Sequence, residues 1–277
     1  MKHILKTCGL ILAIIFLTAT TQIGGIVLLI CLPIFELIDK SLLNKLYSTA
    51  LKPLTFITLY LFASLTLVPF LAGLSGRVPL PVYSNDHLKP LSIFTCFLNR
   101  HYVKPELLEI TEHVASQMHV LYPGTVTSYL DANFPFIDKF PLLPHWSHND
   151  GKKLDLAFFY RELHSGKRLN KAPSYIGYGV FEEPITGEQD TPTECASKGF
   201  IQYSSLRYLV PQNNKAHMPF DQERTKKIIE LLLQESNIGK IFIEPHLKER
   251  MGLKHEKIRF HGCHAVRHDD HIHFQLK

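Results

Sequence analysis

Residues 144–155 read Pro-His-Trp-Ser-His-Asn-Asp-Gly-Lys-Lys-Leu-Asp and stand directly before an apolar run at 156–160. The stretch contains His145 and His148 and ends on Asp155. Gly151 lies between the second histidine and the aspartate, and glycine permits a tight turn. A loop side chain can therefore fold back beside a side chain at the edge of a strand. We expect His148 and Asp155 to lie close together.

A second group of polar residues, His-Asp-Asp-His-Ile-His at 268–273, lies near the C-terminus. His271 and His273 are two apart at the start of a predicted strand, so their side chains point to the same face. Two imidazoles on one face can bind one metal ion, or one can bind while the other carries a proton. Two histidines and one carboxylate with an open fourth position are typical of catalytic zinc. The two groups are predicted to meet around one zinc ion.

The N-terminal quarter of the chain is apolar. Residues 7–35 and 53–76 contain no Asp, Glu, Lys, Arg or His, and each stretch exceeds the roughly 20 residues that cross a bilayer. We predict two transmembrane helices within residues 1–76; a cleaved signal peptide is the alternative for the first stretch. Lys40, Lys45 and Lys52 between the spans favour a cytoplasmic loop with both flanks outside.

Composition excludes some partners. The net charge of the 277-residue chain is +5, but its basic residues are scattered and lack the clustering of a nucleic-acid site, so no nucleic-acid partner is expected. The cysteines form no CxxC pair, which argues against a cysteine zinc site. Outside the apolar stretches only Cys96, Cys195 and Cys263 remain. One disulfide among these three is compatible with an oxidising compartment, and the spacing does not choose the pair.

The rest of the chain indicates an α+β domain. Residues 77–92 are rich in proline and are predicted to be an extended linker, followed by a domain at 93–277. Helical spacing predicts helices from Pro105 and after Asp221. Strands are predicted at the ranges 125–130, 156–160, 178–181, 240–244 and 271–276. Helices and strands mix without βαβ regularity, so we expect a mostly antiparallel sheet with flanking helices and a zinc site, preceded by the two transmembrane helices.

Both polar groups carry a family resemblance. His148-x-x-Gly151-x-x-x-Asp155 resembles the HxxGxxxD signature of the LAS zinc peptidases, which act on peptidoglycan peptides. The sequence 268–273 resembles the histidine-rich ending of their penicillin-insensitive murein endopeptidase branch, as do Lys-Ile-Phe-Ile-Glu-Pro at 240–245 and Lys-Ile-Arg at 257–259. The resemblance covers about 11 residues in the first block and roughly 40 in the second, in the order and spacing of the family.

The resemblance implies a role for each histidine. His148, Asp155 and His273 would bind Zn²⁺, and His145 matches a histidine that can also reach the metal. His271 occupies the position of the catalytic histidine, and His268 matches another histidine that lines the site. The implied reaction is hydrolysis of D-amino-acid-containing peptide bonds in the stems or cross-bridges of peptidoglycan. The protein would then sit in the bacterial inner membrane with its catalytic domain in the periplasm.

The sequence departs from the family at two places. Ser147 stands directly before His148, where the family often has a serine two positions before the ligand. Lys152 and Lys153 stand where small or apolar residues are usual, and such lysines must turn outward, since they would otherwise repel a metal ion. A carboxypeptidase or amidase of the same superfamily, a non-catalytic zinc-binding envelope module and a histidine-rich metal buffer are the alternative functions.

Overall fold

The chain begins with a group of apolar helices. The structure is a computed structural model that describes residues 2–41 and 45–277. Its first helices are α1 (Lys2–Thr21), α2 (Gly24–Lys40), α3 (Lys45–Phe62) and α4 (Val68–Leu74), with a π-helical segment, Ala63–Leu67, joining the last two. Two helical stretches of these described residues are long and apolar enough to cross a membrane, Ile4–Thr21 and Lys45–Leu74. The structure therefore contains two helices of the predicted kind, with different bounds, and their crossing of a membrane stays a prediction.

The predicted 7–35 span is divided in two at Gln22. This residue has a φ of +66°, which ends α1, and α2 begins at Gly24. The hydroxyl of Thr21 explains the break, because it donates to the Leu17 carbonyl at 2.6 Å and accepts the N–H of Gly24 at 2.8 Å. Threonine side chains that bond the backbone in this way compete with the helix. The second span begins at Lys45, before the predicted start at 53.

The remaining chain forms an α+β domain around a six-stranded sheet. In chain order its elements are β1 (Val78–Pro79), β2 (Leu88–Pro90), α5 (Ile93–Phe97), β3 (Tyr102–Val103), α6 (Pro105–Leu121), β4 (Thr127–Tyr129), β5 (Lys153–Ala157), β6 (Tyr160–Arg161), β7 (Arg168–Leu169), α7 (Thr191–Ser197), the 3-10 helices Ile201–Leu209 and Asn213–His217, α8 (Gln222–Gln234), β8 (Ile238–Phe242), α9 (Pro245–Arg250), β9 (Ile258–Arg259) and β10 (His271–Leu276). The strand order of the sheet is β2-β4-β5-β10-β8-β9.

The prediction of a mostly antiparallel sheet is wrong, because the sheet is mixed. The three central pairs are antiparallel, whereas both edge strands pair in parallel, β2 with β4 and β8 with β9. Each parallel pair is joined through helices, α5 and α6 in the first case and α9 in the second. A crossover of this kind returns the chain in the same direction and so produces parallel pairing.

Several local predictions have clear outcomes. The strand predicted at 271–276 is confirmed as β10. No strand forms at 178–181, where Gly177 and Gly179 have φ values of +85° and +82° that are incompatible with extended pairing. The 77–92 segment, predicted as a linker, contributes β2 to the main sheet, and its Leu80 and Leu88 are fully buried in the core. Part of this segment is therefore built into the fold.

Alternation along the two central strands separates the core from the site. Leu154 and Leu156 of β5, with Ile272 and Phe274 of β10, belong to the hydrophobic core, which also includes apolar side chains of α6 and α8. Successive side chains of a strand point to opposite faces. The intervening residues, Asp155 of β5 with His271 and His273 of β10, therefore lie together on the other face of the sheet.

Candidate metal centre

The sheet places Asp155 and His273 side by side. They are direct partners in the antiparallel pairing of β5 with β10, and opposed side chains of such a pair lie about 5 Å apart at their Cβ atoms. Here the two side chains turn towards each other, so that His273 Nδ1 lies 2.9 Å from Asp155 Oδ1. The prediction that the two polar groups meet in space is confirmed.

His148 reaches the same point from the loop before β5. Its Nδ1 is 2.6 Å from the carbonyl oxygen of Ala132, and since a carbonyl can only accept, this nitrogen carries the proton. In the neutral imidazole that a metal ligand requires, the Nε2 atom then has a free lone pair, and this atom lies 3.0 Å from His273 Nδ1 and 3.2 Å from Asp155 Oδ1. Gly151 makes the predicted turn with a φ of +79°.

The geometry of these three atoms fits a metal ion. A tetrahedral ion with bonds of about 2.0–2.1 Å holds its ligand atoms about 3.3 Å apart, close to the separations of 2.9, 3.0 and 3.2 Å. The three residues are almost completely buried and form one group whose side chains can hold a metal ion. Burial lowers the pKa of His273 to about 3, so its imidazole is neutral, as a metal ligand must be.

Three further histidines surround the group and have unpaired nitrogens. His271 Nδ1 bonds Asp270, His145 Nδ1 lies 2.9 Å from Asp131 Oδ2, and the His268 ring is 4.9 Å from the ring of His271. Four buried nitrogens have no hydrogen-bond partner: His145 Nε2, His268 Nδ1, His271 Nε2 and His273 Nε2. A buried unpaired polar atom costs about 1–3 kcal/mol, so this concentration indicates a ligand-binding site.

The six predicted site residues thus lie in one region, but only three form the metal group. His148, Asp155 and His273 do so, as the sequence predicted. His145 lies beside them, its ring 5.5 Å from that of His148, and its binding to the metal stays a prediction. His271 Nε2 is 3.7 Å from Asp155 Oδ2. The catalytic roles assigned to His271 and His268, and zinc as the metal, also stay predictions.

Charge around His271 favours its protonated form. Burial opposes the positive charge, but the carboxylates of Asp155 and Asp270 outweigh burial and raise the pKa of His271 to about 9. Asp270 in turn accepts the backbone N–H of Gly179 at 2.5 Å. Asp270 therefore fixes the orientation of the His271 ring and leaves Nε2 as the nitrogen that faces Asp155.

Sequence reasoning missed two residues that hold this site together. The hydroxyl of Tyr178 donates to Asp155 Oδ2 at 2.8 Å and accepts the N–H of Asp131 at 3.0 Å. Asp131 also accepts from Arg100 at 2.7 Å and faces His145. An aspartate directly after a predicted strand was the available signal for Asp131. Tyr178 lies in a glycine-rich segment and had no such signal.

The two lysines that depart from the family pattern bond groups outside the metal group. Lys152 Nζ donates to the carbonyl oxygen of Lys277 at 2.9 Å, and Lys153 Nζ pairs with Asp150. Lys152 is exposed, as expected of a lysine that turns outward. Lys153 is two residues before Asp155 on β5 and therefore lies on the same face of the sheet, where its charge is paired with Asp150.

A cleft of about 420 Å³ opens over the histidines. Its walls include Trp146 from the first polar group, Leu206 from the 3-10 helix Ile201–Leu209 and the segment 264–266. A disulfide between Cys195 and Cys263 ties α7 to that last segment, while Cys96 is free and buried. The structure thereby chooses one pair among the three cysteines that the sequence left open.

Comparison with known proteins adds no family assignment. No protein-family model matches the chain, and no curated protein matches it. The function is therefore inferred from the site and from the resemblance of its two polar groups.

Proposed function

We propose that the protein is a membrane-anchored zinc metallopeptidase that hydrolyses D-amino-acid-containing peptide bonds of peptidoglycan. One observation carries this proposal. A loop and two adjacent strands bring one ligand atom each of His148, Asp155 and His273 within 3.2 Å of one another. These buried atoms lie beneath an open cleft. Three protein ligands with an open position are typical of catalytic zinc, whereas structural zinc sites are closed by four.

The donor set favours zinc over harder cations. Two imidazoles and one carboxylate suit zinc and other transition metals, whereas magnesium and calcium prefer oxygen ligands. A zinc ion held there would polarise the scissile carbonyl and activate a water molecule for attack. Tyr178 orients the Asp155 carboxylate through its second oxygen, and the Ala132 carbonyl orients His148. Such outer partners keep metal ligands in place.

His271 is the residue that we assign to proton transfer. Its Nδ1 is fixed by Asp270, so Nε2 is the atom available to the substrate. A protonated Nε2 stabilises negative charge that develops on the carbonyl oxygen, and a neutral Nε2 accepts a proton. His268 packs against His271 and lines the same cleft. We assign it to the positioning of His271.

The disulfide and the apolar N-terminal helices support a periplasmic location for the domain. Disulfides persist in oxidising compartments such as the bacterial periplasm, and Cys195–Cys263 lies in the metal-bearing domain. The apolar N-terminal helices supply a membrane anchor. Together with the family resemblance, these features support a domain on the periplasmic face of a bacterial inner membrane, where peptidoglycan peptides are accessible.

Digestion of purified sacculi tests the proposal. The full-length protein in detergent is loaded with zinc and incubated with sacculi, and the released fragments are separated and identified by mass. We expect peptide-bond cleavage products from the wild type, loss of release when a chelator is added, and no release from His271→Ala. His164→Ala, which changes an exposed histidine outside the cleft, is the matched control and should match the wild type.

The alternative functions predict other outcomes of the same experiment. A carboxypeptidase would shorten stem peptides without opening cross-bridges, and an amidase would separate peptides from glycan. A zinc-loaded wild type that releases nothing, as His271→Ala does, would contradict catalysis and favour a non-catalytic binding module. A histidine-rich metal buffer is tested separately by metal content, because it would retain metal when His148 is replaced by alanine.

A further inference from the structure

The helix α2 is slightly shorter than the two stretches that are long and apolar enough to cross a membrane, Ile4–Thr21 and Lys45–Leu74. Its 17 residues span about 25 Å at 1.5 Å per residue, and transmembrane helices begin at about this length. Its charged residues, Glu36, Asp39 and Lys40, lie in the last turns. The chain from 24 to 35 is apolar and includes Pro33, which membrane helices tolerate.

Contacts between the helix ends show that the three apolar segments run side by side. Asp39, near the end of α2, accepts from Lys52 Nζ at 2.6 Å and from Ser48 Oγ at 2.7 Å, both in the first part of α3. Lys6, in the first turns of α1, interacts electrostatically with the same carboxylate. The start of α1, the end of α2 and the start of α3 therefore lie at one end of the bundle.

The turn between α1 and α2 lies at the opposite end, against the metal-bearing domain. Gln22 Oε1 accepts the backbone N–H of Phe136 at 2.9 Å. A Cβ added to Gly25 would lie 2.8 Å from the carbonyl oxygen of Ile14, which shows how closely α2 returns along α1. The left-handed Gln22 thus serves two purposes, since it reverses the chain and bonds the domain.

The long third segment contacts the domain at the same end. Asn99 Nδ2 donates to the hydroxyls of Tyr60 at 3.0 Å and Ser64 at 3.2 Å, and the Tyr60 hydroxyl donates to the Phe97 carbonyl at 2.6 Å. Tyr102 of the domain belongs to the same buried cluster as side chains of α2 and α4. The domain therefore rests on the end of the bundle that includes the α1–α2 turn.

The lysines of the anchor are all at the end away from the domain. They lie at positions 2, 6, 40, 45 and 52. The first arginine after the anchor, Arg77, is buried and bonds the Phe134 carbonyl and Asp138, so it is engaged by the domain. Lysine and arginine are concentrated on the cytoplasmic side of membrane helices, and the disulfide of the domain fits an oxidising compartment.

We propose that the anchor crosses the bilayer three times, with the start of α1, the end of α2 and the start of α3 on the cytoplasmic side and the metal-bearing domain on the opposite surface. The contact between the domain and the anchor holds the metal group close to that membrane surface. His148 bonds the Ala132 carbonyl, and the next residue, Asn133, exchanges backbone hydrogen bonds with Tyr102, which packs on the anchor. The cleft is thus held at the bilayer surface, where it meets substrates that lie close to the membrane.

The number of crossings decides whether the two chain ends lie on the same side. Two crossings, as the sequence predicted, place the N-terminus and Lys277 on the same side, whereas three place them on opposite sides. The test uses full-length protein with a protease-sensitive tag at each end, in intact spheroplasts. We expect loss of the C-terminal tag signal to added protease, and loss of the N-terminal signal only after the membrane is permeabilised.

Single cysteines provide an independent arm that leaves both ends unmodified. In a Cys8→Ser background, Tyr83→Cys on the domain side should react with a membrane-impermeant maleimide in intact spheroplasts. Ser41→Cys, at the end of α2, should react only after permeabilisation, and the parent without an added cysteine is the control. An N-terminal tag removed from outside, or Ser41→Cys and Tyr83→Cys labelled together, would overturn the proposal. Neither arm uses hydrolysis, so failure of the peptidase proposal would not change the result.

Discussion

Replacing Tyr178 by phenylalanine removes one hydroxyl that links the metal group to the chain around it. That hydroxyl donates to Asp155 Oδ2 at 2.8 Å and accepts the N–H of Asp131 at 3.0 Å. A hydrogen bond to a charged group contributes about 1.5–3 kcal/mol. Loss of the partner that orients a metal ligand weakens metal binding about 10–100-fold. We therefore expect Tyr178→Phe to raise the zinc dissociation constant by that factor.

Competition with a coloured zinc chelator measures the effect, and Tyr129→Phe is the matched control. Tyr129 is also fully buried and its hydroxyl donates to the Pro81 carbonyl at 3.1 Å, in the hydrophobic core on the other face of the sheet from Asp155. Its replacement should lower the free energy of unfolding by about 0.5–1.5 kcal/mol and leave zinc affinity unchanged. An unchanged zinc affinity in Tyr178→Phe, or an equal loss in both variants, would refute the assigned role of Tyr178.

Three further predictions concern stability and are measured by thermal or denaturant unfolding of the full chain. The Cys195–Cys263 disulfide closes a loop of sequence separation 68. Its reduction should lower the free energy of unfolding by about 4 kcal/mol by the chain-entropy relation. Asp221→Asn should cost about 3–5 kcal/mol, because it breaks a buried pair with Arg224. Burial opposes the charge of Asp221, but its hydrogen bonds to arginine lower its pKa, so its stabilisation is present above the unfolded pKa of about 3.9 and is lost as pH falls below it. Gly151→Ala should cost about 1–2 kcal/mol, because a side chain is forced into the left-handed region.

Each of these three changes has an outcome that would contradict it. The free energy of unfolding of a Cys195→Ala/Cys263→Ala variant must be insensitive to reductant. A wild type whose free energy of unfolding is equally insensitive would show that the disulfide does not stabilise the fold. The wild type should lose stability between neutral and strongly acidic pH more steeply than Asp221→Asn, and parallel curves would contradict the ion pair. Gly124 has a similar φ of +82° with open space around its Cβ, so Gly124→Ala should show the cost of the left-handed φ alone. A Gly151→Ala variant as stable as the wild type would contradict the prediction.

The sequence predicted those parts of the site that follow from local periodicity. His271 and His273 share a face because they are two apart on β10, and Gly151 turns the loop that carries His148. The pairing of His273 with Asp155 depends on strand order, which the sequence did not predict; the resemblance implied only that the two polar groups share one metal ion. The contacts of Tyr178 and Asp131 depend on how loops cross over the sheet, and no local pattern encodes them.

Local sequence patterns also failed to predict the path of the chain in the anchor. Hydropathy identified the apolar residues at 7–35 but did not detect the reversal at Gln22, because the reversal depends on the hydroxyl of Thr21 and on a bond from Phe136 in the distant domain. The two parallel edge pairs were likewise missed, since they depend on where helices return the chain. Composition predicts which segments are buried in lipid or in the core. The path of the chain through these segments depends on tertiary contacts.

The metal content of the purified full-length protein tests the central claim most directly. Elemental analysis of the wild type should find one zinc ion per chain, and His164→Ala should retain it. His148→Ala and His273→Ala should each lose it, because each removes one of the three atoms that converge with Asp155. A wild type that binds no zinc, or His148→Ala and His273→Ala variants that keep it at full occupancy, would contradict the account.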